Sequence, residues 1–323
     1  MPQINPVLRN ISNLNNLERR NVLKPSDALN EFVNAKIKVC VSKENYDNFE
    51  NIDEKDSSNP VVVSTYVNDV YEYLHSLELQ FPIQEQYLNG RVVTPKMREL
   101  LVDWLIQVHK RFKLLQETLF LSIQIMDRFL QNNDIGKKHL QLVGITSLLL
   151  ASKYEEQYSP KITDFIYISD NAYTAADIKR MERRMLTNLD ISLGKPLCIH
   201  FLRRYSKVAK VDFTVHNLAK YLMELTVMDY ELVHVFPSKI AAATLCLALI
   251  LKTTTVWYLE MEDYVGYSFK ELKSIIARIA QLQLKLKRSK YQTIKLKYSS
   301  SKFQNVSMSP LLSSQILEDC AKL

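Results

Sequence analysis

Groups that often carry enzyme chemistry occur in this sequence, but they are not spaced for it. The five glycines, Gly90, Gly136, Gly144, Gly194 and Gly266, stand too far apart for GxGxxG or GxxxxGK[ST], so no loop of backbone N–H groups is set up to cradle a phosphate. The four cysteines, Cys40, Cys198, Cys246 and Cys320, form no CxxC pair. A zinc ribbon and a dense disulfide framework are therefore not expected, and reduced thiols are. Neither HExxH nor GxSxG occurs, which weakens a metallohydrolase or serine-hydrolase reading. No metal or cofactor is expected. Charge is concentrated in one place: Lys285, Lys287, Arg288, Lys290, Lys295, Lys297 and Lys302 fall in a single stretch without an acid and supply much of the net +7. Such a run can hold nucleic-acid phosphates, but it more often forms a solvated basic surface. Residues 286–323 are read as a basic C-terminal tail, with no nucleic-acid partner expected. Its KLKRSK run could instead serve nuclear import.

The elements that must position any site are helical. Hydrophobic residues make up 47% of the 323 residues and charged residues 24%, ordinary for a folding chain with room for about two domains. No apolar run reaches the roughly 18 residues of a membrane span, and the N-terminus lacks the layout of a signal peptide. An intracellular protein is expected, without a membrane partner. Residues 1–60 are rich in Asn, Ser and charge without a sustained apolar period, and they read as a disordered tail. From Val61 the pattern changes. Tyr66, Val70, Tyr73, Leu74 and Leu77 recur at helical spacing and predict an amphipathic helix ahead of the first bundle; VVVS at 61–64 is the one short strand candidate.

Thr94 followed by Pro95 marks a helix start, because threonine caps free N–H groups and proline at the first position sacrifices none that is needed. Leu100, Leu101, Trp104, Leu105, Val108 and Phe112 then recur at three and four residues, and ETLFLSIQIMDRFLQ follows as a second helix. LQLVGITSLLLASKY is apolar almost all round, with small residues Gly144, Ser147 and Ala151, as suits a helix enclosed by neighbours. Thr174 with Asp177, and Ser268 with Glu271, have capping-box spacing. Gly194-Lys195-Pro196 interrupts the pattern, which restarts with FLRRYSKVAK, LAKYLMELTVMDY and the enclosed helix IAAATLCLALIL. The expectation is an all-α chain of two consecutive helical bundles, 61–193 with its preceding helix and 194–285, between the tails.

MRELLVDWLIQVHKRFKLLQETLFLSIQIMDRFL (97–130) resembles the cyclin box, and LQLVGITSLLLASKYEEQYSPKITDF continues it in order and spacing. HFLRRYSK and LAKYLMELTVMDY resemble the second fold of B-type cyclins, and the likeness runs from about Tyr66 to Arg278. Two departures stand out: the stretch VWYLEMEDYVGYSF lacks the family's usual proline-bearing segment, and the N-terminal tail is short for a mitotic cyclin. The resemblance implies two five-helix cyclin folds and a non-catalytic subunit that pairs as a heterodimer with a mitotic cyclin-dependent kinase, activates it, drives mitosis and is then degraded. It implies protein substrates, the anaphase-promoting complex as a partner, and residence in cytoplasm and nucleus.

The resemblance also assigns residues. Lys153 in ASKYEE and Glu182 in KRMERRM match the pair that grips the kinase main chain; a lysine offers three donors to carbonyls and a carboxylate accepts N–H groups. Leu150, Tyr154, Leu186, Ile191 and Leu193 match the apolar contacts around them, with core packing as the alternative for each. Met97, Leu100, Leu101, Trp104, Gln107 and Gln141 match a substrate-docking patch; Met97, Leu101 and Trp104 share one helix face, which could equally be core. Arg98 and Asp127 match an internal salt bridge. Arg203, His216 and Lys220 match a phosphate-binding pocket, or are simply three solvated cations. Lys43-Glu44-Asn45 resembles a degradation signal. NPVLRNISN (5–13) resembles a destruction box with Asn5 where arginine belongs, and Arg20 with Leu23 is a minimal substitute. The rival from another class, a DNA-gripping general transcription factor of the factor IIB type, also has two cyclin-like bundles but carries the zinc ribbon that is missing here.

Overall fold

The computed structural model describes residues 53, 56–59, 63–253, 257, 259–287 and 289–323. Among them there is no strand, and Ser64–Tyr66 forms a 3-10 turn that leads into α1 (Val67–Gln80). The first bundle comprises α2 (Pro95–Phe112), α3 (Gln116–Asn132), α4 (Lys137–Glu155), α5 (Ile162–Ile168) and α6 (Ala175–Asn188). The second comprises α7 (Cys198–Val208), α8 (Phe213–Thr226), α9 (Pro237–Thr253), α10 (Leu259–Val265) and α11 (Phe269–Leu286). Two short helices follow, α12 (Thr293–Tyr298) and α13 (Gln315–Cys320).

The starts of these helices follow local chemistry. The Thr94 hydroxyl accepts from Met97 N at 3.3 Å, and Pro95 opens α2. Thr174 and Asp177 exchange backbone bonds of 3.0 and 3.2 Å at the head of α6, as Ser268 and Glu271 do at α11. Helices α4 and α9, apolar on every side, take the centre of their bundles: Leu142–Ser152 and Ile240–Leu251 are all buried. The small residues of α4 admit close neighbours; a Cβ on Gly144 would stand 2.7 Å from Leu101 Cδ1, so α2 seats in a notch that any larger residue would fill.

Arg98, 1% exposed, is the joint between the bundles. Its Nε and Nη2 donate to the two carboxylate oxygens of Asp127 at 2.7 and 2.6 Å, and its Nη1 donates to Val227 O, just after α8, at 3.0 Å. The Tyr87 hydroxyl adds a 2.7 Å bond to Asp127, and Leu88 N donates to Tyr230 Oη at 2.5 Å.

Three stretches depart from expectation. Helix α1 precedes the first bundle in sequence but docks on the second: the Tyr71 hydroxyl donates to His200 O at 3.0 Å, and Glu78, nearly buried, accepts Ser238 N at 2.8 Å at the head of α9. Of the apolar stripe read from Tyr66, Val70, Tyr73, Leu74 and Leu77, the first three face outward, while Leu74 and Leu77 are half-buried. Part of the tail read as disordered is also seated. Asp53 takes both Arg204 Nη groups at 2.7 Å and Lys207 Nζ at 2.9 Å, and Asp56 takes Lys207 Nζ at 2.7 Å. Residues 286–323 are no tail: Ile294, Tyr298, Val306, Leu312, Leu317 and Cys320 are buried. The lysine run hid this, because its apolar residues are spread over short turns with no sustained period. One lysine is consumed internally. Lys297 Nζ lies 2.7 and 2.8 Å from the fully buried Glu224 carboxylate, which also accepts the Tyr298 hydroxyl at 2.9 Å and Gln116 Nε2 at 3.0 Å. A carboxylate at that depth is tolerable only when paired and hydrogen-bonded.

Candidate functional site

The last turn of α4 and the length of α6 lie side by side and bring together two groups 29 residues apart in sequence. Lys153 Nζ donates to Glu182 Oε1 at 2.6 Å. The Lys153 side chain is 47% exposed, and the bond uses one of three ammonium donors and one of two carboxylate oxygens. Neither side chain has another hydrogen bond among the described residues. The pair can thus offer two N–H donors and one acceptor to a passing main chain without first breaking.

The apolar residues assigned around it divide into two kinds. Leu150 and Leu193 are buried and belong to the core of the first bundle, Leu186 is half-buried, and Tyr154 and Ile191 are exposed. Ile191 is 75% exposed and has φ +56, beside Asp190 at φ +51. A left-handed backbone is unfavourable for a β-branched residue and is tolerated where surrounding bonds determine it. Here they do: Ile191 N donates back to Leu186 O at 2.9 Å, closing α6, and Leu193 N donates to Ile191 O at 3.1 Å. The turn then brings Gly194 under Tyr154, where a Cβ would collide with the tyrosine hydroxyl. Lys153, Tyr154, Glu182 and Ile191 form one surface.

The docking-patch residues meet on α2 and α4. Leu101 is buried against Gly144 and acts as core, Met97, Trp104 and Gln141 are half-buried, and Leu100 and Gln107 are exposed, with Gln107 Nε2 donating to Asp103 Oδ2 at 2.9 Å. Tyr291 of the C-terminal segment lies beside this helix, its ring 5.0 Å from Lys96 Nζ.

Arg203, His216 and Lys220 also converge. Arg203 pairs with Glu117 of α3, His216 Nδ1 lies 2.8 Å from Ser206 Oγ, and Lys220 Nζ stands 5.7 Å from the centre of the Phe303 ring. Burial, then the nearby Lys220 and Arg203, push the His216 imidazole down to about 4. Burial and Arg203 likewise lower the Lys220 ammonium. Arg203 depresses both His216 and Lys220, as expected where positive charge has gathered. Among the described residues no group of three or more His, Cys, Asp or Glu is placed to hold a metal ion, and no helix is long and apolar enough to cross a membrane.

The sequence matches the family of the cyclin N-terminal domain over residues 69–194 and that of the cyclin C-terminal domain over residues 196–312. A G2/mitotic-specific cyclin-B of Patella vulgata is 53% identical over 270 residues, 84% of this chain and 66% of that protein. A G2/mitotic-specific cyclin-B2 of Homo sapiens is 49% identical over 274 residues, 84% of this chain and 69% of that protein. The chain belongs to the cyclin family, on its B-type branch. This cyclin spans about two thirds of the length of these relatives. Its fold is also similar to a solved viral cyclin from herpesvirus saimiri, with a TM-score of 0.58 at 19% identity over 66% of this chain and 96% of that one.

The cyclin's Lys43, Glu44 and Asn45, with the destruction-box stretch, lie outside the described residues. Sequence patterns alone missed three contributors: Glu117, which occupies Arg203; Gly194, which admits Tyr154; and Phe303, which covers Lys220. Only Gly194 left a signal, and it was read as a helix stop.

The neutral His216 links this cyclin's stability to pH. Its imidazole titrates near 6.5 in an unfolded chain but near 4 in the fold, so stability present above pH 6.5 is lost as pH falls toward 4. His109 and His200, also lowered by burial, act in the same direction. His216→Asn is expected to flatten the fall in thermal midpoint between pH 6.5 and 4 by about a third. Parallel curves for variant and wild type would remove His216 from that account.

Proposed function

We propose that this cyclin is the non-catalytic activating subunit of a mitotic cyclin-dependent kinase, forming a heterodimer through the surface around Lys153 and Glu182. The observation that carries the proposal is the preformed pair, with donors and an acceptor left over beside exposed Tyr154 and Ile191. The names of its relatives, G2/mitotic-specific cyclins, support the mitotic assignment. In this reading the pair grips the main chain next to the kinase C-helix and holds that helix inward, where its glutamate meets the phosphate-holding lysine. ATP and every catalytic group belong to the kinase. Activation is then a shift of population, and the cyclin must bind the active arrangement better than the inactive one by several kcal/mol.

The rest of the proposal concerns protein substrates and turnover. The half-buried Met97 and Trp104 with exposed Leu100 dock substrate segments, and the Arg203–His216–Lys220 cluster takes a phosphorylated segment, displacing Glu117 from Arg203. Lys43-Glu44-Asn45 is read by the anaphase-promoting complex, and the protein works in cytoplasm and nucleus. The test is direct. The purified chain, added to inactive mitotic kinase with histone, is expected to give phosphorylation that saturates with cyclin concentration; no phosphorylation with any mitotic kinase would reject the reading.

A smaller change probes the same surface. Gly194→Ala has an ordinary backbone to occupy but drives Tyr154 from its seat. Kinase affinity is expected to fall about tenfold, roughly 1.4 kcal/mol, with little change in thermal midpoint. Unaltered affinity would make Tyr154 a bystander.

A further inference from the structure

The seam between α1, α3, the linker after α6 and the loop before α9 forms a half-open cavity of about 110 Å³. Its walls are largely apolar, with Phe81, Ile123, Leu197, Val235 and Ile240 among them. That volume approaches the cavity known to admit benzene in an engineered protein core, so one ring or one branched side chain fits. Two polar atoms on the wall, Gln124 Oε1 and His234 Nδ1, are buried without a hydrogen-bond partner.

The lining holds the paired Arg98 and Asp127, Glu78 accepting Ser238 N, and one further cation with no anion. Lys195 is only 7% exposed, and its ammonium stands 3.2 Å from the centre of the Phe81 ring without an ion pair to any described carboxylate. Arg128 lies 5.3 Å from the same ring and spends one donor on Ser192 O at 2.9 Å. Asp190 is felt by Arg128 at a distance, but forms no ion pair with it. An ammonium with a π face on one side, water on the other and no ion pair gains a charge-assisted hydrogen bond when a carboxylate arrives. Burial and Arg128 pull the Lys195 amine down to about 8.

We infer that this cavity is a binding site for a small amphipathic carboxylate, with an apolar body about one ring in size among the seam residues and its carboxylate on Lys195. The cavity supplies the shape, and Lys195, without an ion pair, supplies the charge. This site is separate from the Lys153–Glu182 surface and does not depend on the kinase reading. A carboxylate beside Lys195 restores the amine's proton, so binding weakens as pH rises from 7 through 9.

The test uses the full chain with 3-phenylpropanoate and, as its uncharged counterpart, 3-phenylpropanol, followed by ligand-observed NMR. The acid is expected to bind at least tenfold more tightly than the alcohol, the scale of a charge-assisted hydrogen bond. Lys195→Met is expected to remove that preference, while the exposed-surface control Lys270→Met keeps it. Ile123→Phe, which fills the cavity with the cations in place, is expected to abolish binding of both compounds. Thermal melts verify that each variant folds, and Lys195→Gln, which also removes the charge, stands in if the methionine variant does not. Equal affinity for acid and alcohol, binding indifferent to Lys195→Met, or no binding at millimolar ligand would each overturn the inference.

Discussion

A chain carrying both Lys153→Ala and Glu182→Ala is expected to lose about 2–5 kcal/mol of kinase binding, between thirtyfold and several thousandfold in affinity. It should leave histone unphosphorylated at cyclin concentrations that saturate the wild type. The size of the effect comes from the partner. Carbonyl and N–H groups on the kinase main chain lose water when the surface closes, and with the pair gone they stay buried and unmatched. The fold should be indifferent, because an ion pair with a half-exposed lysine contributes little to a free chain's stability. The decisive contrast sets a thermal midpoint within a few degrees of wild type against activity at background. Each single variant should lose most of what the double loses, since the survivor has no partner in the complex and the two act as a unit. Wild-type activation by the double variant would move the kinase contact elsewhere.

The second large effect is on the fold. Asp127→Ala is expected to cost about 3–5 kcal/mol of stability, because it strands a guanidinium that is 1% exposed and also removes the acceptor of the Tyr87 hydroxyl. Arg98→Met strands Asp127 in turn and leaves Val227 O without its donor. Domains of this kind hold a net stability of about 5–15 kcal/mol, so either change takes a large share of it. The double variant Arg98→Met, Asp127→Leu should be less damaged than the sum of the singles, since no charge is left behind. Urea unfolding of the three variants measures this; strict additivity would mean that the two residues do not act as a pair.

The enclosed helices α4 and α9 were legible because an all-round apolar pattern admits one environment, and the capped starts at Thr94, Thr174 and Ser268 were legible because capping is local chemistry. What the sequence hid depends on contacts between distant segments. Tyr66, Val70 and Tyr73 have the spacing of a buried stripe, yet the helix turns Tyr71 and Glu78 inward, because the second bundle offers His200 O and the free N–H of Ser238. Lys297 reads as tail charge until Glu224, 73 residues earlier, is seen to need it. The site shows the same division. Lys153 and Glu182 were found through motif context and stand in hydrogen-bond contact, whereas Leu150, Leu193 and Leu101 carry the same motif context and lie in the core. Periodicity finds the apolar face of a helix, but it does not say which residues of that face remain open.

The two family matches meet between residues 194 and 196, as if the chain could be cut there into interchangeable modules. The Arg98 joint argues otherwise. The arginine is rooted in the first half, yet one of its donors is completed by a carbonyl of the second, and Tyr230 of the second half holds the backbone of the first at Leu88. Half a chain, or a chimera that joins this first bundle to a foreign second one, therefore inherits an arginine without its last acceptor. The two bundles can be exchanged only together with the few atoms at Val227 and Tyr230 that act as the lock for that key.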